Sequence, residues 1–244
     1  MRRETFSTPN PPRLDVRLAA GQVELETEET SETVVELEPL GDRSREAVER
    51  AEVLFDGDEV RIELDQKRLL LGRTPEVRVV VRAPHGSSAR VSTASADVSG
   101  RGRYGKVEIK TASGDVDFED VEDELEVNAV SGDVRVASVG GEAAVKSVSG
   151  DLSIGLAARG GSFQNVSGDV ALKELVEGEI AVKTVSGDVH AGIRSGSGVW
   201  IDAKSVSGKT TSELEVGDDA PTDSGPMIRL RANSVSGDIR IARA

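Results

Sequence analysis

From about His85 to Ala244, apolar residues recur at every second position in short runs, and Gly-acid pairs separate many of the runs. Val130-Ser131-Gly132-Asp133-Val134-Arg135-Val136-Ala137-Ser138 reads apolar-x-Gly-acid-apolar-x-apolar-x-small. The next nine residues, Val139 to Ser147, repeat that order with Ala143 as an apolar residue. A period of two belongs to a strand with one buried face, so the predicted elements are strands and not helices. Gly at the third place suits a bend that needs positive φ, and the Asp after it favours a turn.

The pattern is a long repeat. Its Ser-Gly-Asp-Val string places Gly at 114, 132, 150, 168, 187, 208 and 237, with Ala96 in the same role earlier. Four steps of 18 residues are followed by steps of 19, 21 and 29. Each 18-residue unit holds two nine-residue half-units, and sixteen half-units after residue 85 make eight turns. Strand, bend, strand and bend in regular succession predict an all-β fold, a parallel β-solenoid with two facing sheets. With stacked strands ~4.8 Å apart, eight turns span roughly 38 Å. One inward column reads Ile109, Val127, Val145, Phe163, Val182, Ala203, Ala232. The opposite sheet gives Val116, Val134, Leu152, Val170, Val189, Ile239. A corner column of Thr111, Ala129, Ser147, Asn165, Thr184, Ser205 and Ser234 offers small polar groups for hydrogen bonds along the stack.

Residues 1–84 lack the module. Leu14 to Leu18 and Val23 to Leu25 alternate, Phe55-Asp56-Gly57-Asp58 reads as a hairpin turn, and Ser44 to Ala51 reads as one short helical piece. Glu76 to Arg82 is a further strand, closed by Pro84. The segment is expected to be a β-rich cap on the solenoid of residues 85–244, because an end turn exposes apolar groups and free strand edges. The C-terminal run Ile239 to Ala244 stays in repeat pattern, so the last turn of the chain is expected to be open.

Val-Ser-Gly-Asp-Val, as in 130–134, 166–170 and 185–189, follows this short β-rich segment. The combination resembles the bacterial β-strand-repeat family of unknown function that often carries an adhesin label. The resemblance spans roughly Leu14 to Ala244. It implies a β-solenoid and supplies no catalytic residues.

Composition narrows the functions. The 244 residues carry a net charge of −14, which argues against nucleic acid and against anionic membranes as partners. The chain has no Cys, which excludes disulfides, thiolate zinc sites and Cys nucleophiles. Aromatic residues are 2% of the chain, so the core must be a thin stack of aliphatic side chains. Arg2 and Arg3 are not followed by an apolar segment, and no run approaches the ~20 apolar residues of a membrane span. The expectation is a cytoplasmic protein without membrane insertion.

The bends supply the most regular chemistry. Gly114-Asp115, Gly132-Asp133, Gly150-Asp151, Gly168-Asp169, Gly187-Asp188 and Gly237-Asp238 stack as a ladder on one edge, with Asp97 before them and Lys209 interrupting. Neighbouring carboxylates ~5 Å apart repel by about 0.8 kcal/mol in water, so something must offset the charge. Hydrogen bonds from turn amides are the simpler answer. Calcium is the weaker one, because calcium-binding β-rolls repeat Gly-Gly-x-Gly-x-Asp and this chain mostly has one Gly per half-unit. Gly100-Arg101-Gly102-Arg103-Tyr104-Gly105 matches a dinucleotide fingerprint, yet the next residues read as a strand where that site needs a helix. Ser186 and Asp188 occupy places where Ser and Asp recur in nearly every turn, Asp188 and His190 point the same way towards solvent, and the three are not expected to make a triad.

Trp200 is set apart. Val199 and Ile201 continue the inward parity, so Trp200 points outward, and register between turns places Glu179 and Arg229 beside it. Arg229 is the expected stacking partner. The loop 217–226 is expected to fold over the indole, the alternative being an exposed anchor for a partner. Leu69-Leu70-Leu71 is read as a contact between cap and first turn. The expected function is a non-enzymatic structural or interaction protein that presents extended sheets to a macromolecular partner, without a cofactor. Trp200 and Arg229, with the insertions near 65–75 and 217–226, are the candidate partner surface. Self-assembly as an intracellular scaffold through the open last turn is the alternative, and a carbohydrate-active β-helix enzyme is a minor one.

Overall fold

The structure, a computed structural model, describes residues 1–42, 44–64, 74–214 and 225–244. The N-terminal elements are β1 (Arg2–Ser7), β2 (Arg13–Glu28), β3 (Glu32–Pro39), α1 (Ser44–Arg50), β4 (Glu52–Asp56), β5 (Glu59–Glu63) and β6 (Glu76–Pro84). They lead into β7 (Ser88–Tyr104), β8 (Val107–Ser113), β9 (Val116–Val121), β10 (Leu125–Ser131), β11 (Val134–Val139), β12 (Ala143–Ser149) and β13 (Leu152–Ala157). The C-terminal part holds β14 (Gly161–Ser167), β15 (Val170–Leu175), β16 (Gly178–Ser186), β17 (Val189–Ile193), β18 (Gly198–Ser207), β19 (Thr210–Ser212), β20 (Met227–Ser236) and β21 (Ile239–Arg243).

The fold is the expected parallel solenoid. Each rung is a strand, a Gly-Asp bend and a second strand, as in β10 and β11, and rungs stack in parallel register. The long strands β2 and β7 run through the bend unbroken and join both faces into one 21-stranded sheet. The inward columns fall where periodicity puts them. Ile109, Val127, Val145, Phe163, Val182 and Ala232 are aligned and buried on one face, and Val116 to Val189 and Ile239 on the other.

Spatial order departs from chain order at both ends. Near the N-terminus, β2 lies between β7 on one side and β5 with β6 on the other, all parallel. Two further rungs therefore come from the segment expected as a cap. Antiparallel capping is confined to β4 on β5, β3 on β6 and β1 on β3.

At the other end, β20 and β21 stack between β16/β17 and β18/β19. The last repeat in the chain is thus an inner rung. Residues 198–212 form the end of the stack, which corrects the expected open turn at Ile239 to Ala244. Side chains explain the order. The inner rung buries Ile228, Leu230, Ile239 and Ile241 completely or nearly so. In β19 the matching inward places are Thr210 and Ser212, whose hydroxyls stay solvated only at the end of the stack.

Candidate interaction surface

The Gly-Asp bend is built by close approach between rungs. Gly114, Gly132, Gly150 and Gly168 have φ between +109° and +129°. A Cβ on any of them would lie 2.2–2.3 Å from the carbonyl oxygen of the residue one rung before, so only Gly lets the rungs stack here. The Asp that follows solves the backbone problem of the bend. Its Oδ1 accepts the N–H of the equivalent residue in the next rung, at 2.8–3.0 Å, from Asp97 through Asp115, Asp133, Asp151, Asp169, Asp188 and Asp238 to Lys209. These amide bonds are the offset expected for carboxylate repulsion. The amide of Asp151, and then the Arg135 guanidinium, hold the Asp133 carboxyl below the ordinary carboxylate range against its partial burial.

Lys209 does not interrupt the ladder but ends it. It donates its amide to Asp238 and has no described rung beyond it that would need an acceptor. Thr111, Ala129, Ser147, Asn165, Thr184 and Ser234 of the corner column are buried and Ser205 partly so, but the expected bonding along the stack is only partial, because the Thr184 and Ser234 hydroxyls find no partner among the described residues. Asn165 Nδ2 donates to the carbonyls of Gly150 and Gly168, and Ser205 Oγ to that of Gly237. Thr111 and Ser147 bond within their own turns.

The other sequence candidates fall into structural places. Gly100 lies against the Phe118 ring, where a Cβ would sit 2.2 Å from the ring edge. Gly102 accompanies a register shift within β7, so the glycine-rich stretch is part of a strand and leads into no helix. His190 is exposed on β17 beside Arg240 of the next rung. At the second bend a wide groove of about 1000 Å³ is lined by Glu122, Asp123, Glu124, Glu142 and Glu177 with Lys106 and Arg159. Lys106 Nζ holds Glu124 at 2.6 Å. Among the described residues no three His, Asp or Glu side chains are placed to hold a metal ion.

Trp200 points outward from β18, with 49% of its surface exposed. In register, Arg229 lies between Glu179 and Trp200. Arg229 pairs with Glu179 at 3.4 Å. The cation over the indole is Arg231, 5.8 Å from the ring centroid, which corrects the expected stacking of Arg229. The side chain two residues along a strand leans over its neighbour, and Glu179 competes for the nearer guanidinium. Residues 217–224 of the loop expected over Trp200, and Leu69-Leu70-Leu71, lie outside the described residues. Around Trp200 the outer face carries Met227, Arg229, Arg231 and Lys204, all exposed, on a chain of net charge −14.

Two outer columns escaped sequence reasoning. Val130, Val148, Val166, Val185, Val235 and Val206 are all exposed, five of them at 44–51% and Val206 at 84%. They occupy the first place of each Val-Ser-Gly string, which the periodicity scores as apolar without saying which way it faces. Two residues before each lies a column that alternates without a break in spatial order: Lys110, Asn128, Lys146, Gln164, Lys183, Asn233, Lys204. In chain order the last two are exchanged, which hides the alternation.

The family model described as "Toastrack DUF4097" matches residues 12–242. Among solved structures, a "putative lipid binding protein" from Parabacteroides distasonis ATCC 8503 aligns with a TM-score of 0.58 and 10% identity, covering 100% of this chain and 96% of that one. A "putative adhesin" from Bacteroides fragilis NCTC 9343 aligns with a TM-score of 0.51 and 11% identity, covering 98% and 96%. No curated protein matches. At such identity the likeness is one of fold.

Proposed function

We propose that this chain, which belongs to the Toastrack DUF4097 family, is a non-enzymatic interaction protein whose outer sheet face binds a macromolecular partner. The observation that carries this reading is the end of the stack. Trp200 and Met227 stand exposed there among Arg229, Arg231 and Lys204, on a rod that is acidic overall. A half-exposed Trp with a cation beside it is the residue set that anchors protein interfaces. The adhesin description of the Bacteroides fragilis relative agrees with a surface that binds rather than reacts. Arg229 and Lys204 are held by Glu179 and Asp202, and Arg231, without an ion-pair partner among the described residues, points to an acidic group on the partner.

The test is affinity capture with the full chain and with Trp200→Ala and Arg231→Ala, followed by titration of the captured partner. The expected result is a loss of at least tenfold in affinity for each variant. Equal binding by all three forms overturns the assignment of this patch.

A second reading, end-to-end assembly, rests on the terminal rung. Val199, Ile201 and Ala203 of β18 are only half-buried, and β18 pairs with β20 alone among the described strands. Free strand edges of this kind template further pairing. Filaments in electron micrographs support this reading, and short isolated rods at high concentration end it.

A further inference from the structure

The valine ladder is an exposed apolar stripe of six rungs, and the columns on its two sides have opposite character. On one side stand Lys110, Lys146, Lys183 and Lys204, alternating with Asn128, Gln164 and Asn233. On the other stand the ladder aspartates at the bend. Five valines at about half exposure, with the more exposed Val206 at the end, leave on the order of a few hundred Å² of apolar surface, near the upper limit for a monomer. They are β-branched and aligned one above another every ~4.8 Å. The surface that matches this spacing over six rungs is another stack with the same spacing.

We propose that the valine ladder is a homodimer interface, and that two copies lie side by side with their rods parallel. The direction follows from charge. A two-fold axis along the rod lays valine on valine and sets the Lys column of one copy against the Asp column of the other, on both sides. A two-fold axis across the rod sets the Asp column against itself, which is repulsive, and leaves the lysines facing amides or one another with no carboxylate to pair. In the parallel pair each rung matches its own partner. Lys110 meets Asp115 of the second copy, Lys146 meets Asp151 and Lys183 meets Asp188. In the rungs between, the amides Asn128, Gln164 and Asn233 meet Asp133, Asp169 and Asp238. The first of these three aspartates already holds Arg135 of its own chain at 2.6 Å, and the residue facing it is uncharged. Only the end rung, with Lys204 against Lys209, opposes like charges.

Ladder hydrogen bonding leaves the second oxygen available. Asp115, Asp151 and Asp188 each use Oδ1 for the next amide, and no described residue takes their Oδ2. Lys146 and Lys183 have no ion-pair partner among the described residues, whereas Lys110 and Lys204 hold Glu108 and Asp202 of their own strands. The two copies thus complete pairs that a single copy leaves open. This interface shares only Lys204 of its end rung with the Trp200 patch and does not rest on that patch.

The experiment is sedimentation equilibrium of the full chain and of the triple variant Val148→Thr, Val166→Thr, Val185→Thr. The hydroxyl replaces one exposed methyl and keeps the β-branched shape, so the fold is retained, as circular dichroism verifies. The expected result is a dimer whose dissociation constant rises at least tenfold in the triple variant and also in Lys146→Glu, Lys183→Glu. Orientation is read separately. The chain has no cysteine, so Val130→Cys and Val206→Cys each introduce a single thiol at opposite ends of the stripe. In the parallel dimer each variant cross-links to itself on oxidation; in an antiparallel one only a mixture of the two does. A monomer at several hundred micromolar, a dimer that the triple variant leaves unchanged, or cross-linking only in the mixture overturns the proposal. Loss of partner binding by Trp200→Ala with an intact dimer bears on the function proposed above and leaves this interface standing.

Discussion

Replacing Gly150 by Ala tests how the solenoid is held together. Gly150 has φ of +114°, and its missing Cβ would lie 2.2 Å from the carbonyl oxygen of Gly132. Two effects add. A side chain in the left-handed region costs roughly 1–2 kcal/mol. Removing the clash also requires the two rungs to part by about 1 Å, since carbon and oxygen need well over 3 Å. That separation breaks the bond from the Asp151 amide to Asp133 Oδ1, now 2.9 Å long. A hydrogen bond to a charged group contributes about 1.5–3 kcal/mol. The expected destabilisation is therefore about 3–5 kcal/mol. Gly196→Ala is the control. Its φ of +87° carries the same backbone penalty, but nothing lies within 4 Å of the added methyl, so it should cost only about 1–2 kcal/mol. Urea unfolding followed by circular dichroism measures both. If Gly150→Ala is no more destabilising than Gly196→Ala, rung contact through the glycine column is not what holds the bend.

Phe163 is fully buried in the middle of an aliphatic column, so Phe163→Ala should lower stability by about 3–5 kcal/mol in the same unfolding assay. Because the Asp133 carboxyl is held below its unfolded value, it stabilises the fold above the ordinary carboxylate pKa, and that contribution is lost as pH falls through the depressed folded value. Asp133→Asn should therefore flatten the acid limb of a melting-temperature-against-pH curve, while an unchanged limb would show that the ladder carboxylate is not coupled to folding. Trp200 is the one tryptophan of the chain, so its fluorescence reports a single site. Arg231→Ala should shift that emission and Arg229→Ala should not, with a stability change of about 0.5–1 kcal/mol at most for either.

Periodicity alone determined the fold class, the strand-bend-strand rung, the two inward columns and the glycine-aspartate ladder. The reason is that a stacked fold converts sequence period directly into spatial alignment: residues 18 apart face the same neighbour, so Val127 and Val145 must share a column. The alternation of Leu14 to Leu18 and of Val23 to Leu25 marked two short strands, which the structure joins into the single strand β2. It did not show that β2 belongs in the stack, because that segment carries Gly21 and Gln22 where the repeat has Gly and Asp.

What only the tertiary structure decided is which rung sits where. Pairing energy between similar rungs hardly distinguishes neighbours in sequence from neighbours one turn further on. Burial does distinguish them. Ile239 and Ile241 gain by lying inside the stack, whereas Thr210 and Ser212 lose by it, so the chain returns to place β20 and β21 within and leaves β18 and β19 at the end. The same choice aligns Arg231 with the Trp200 face, makes Lys209 the end of the aspartate ladder and brings Lys183, Asn233 and Lys204 into strict alternation. Lys209, Thr210 and Ser212 were present in the sequence as polar departures from the repeat. Their meaning depends on the end of the stack being wet, and that is a property of the assembled rungs rather than of any one of them.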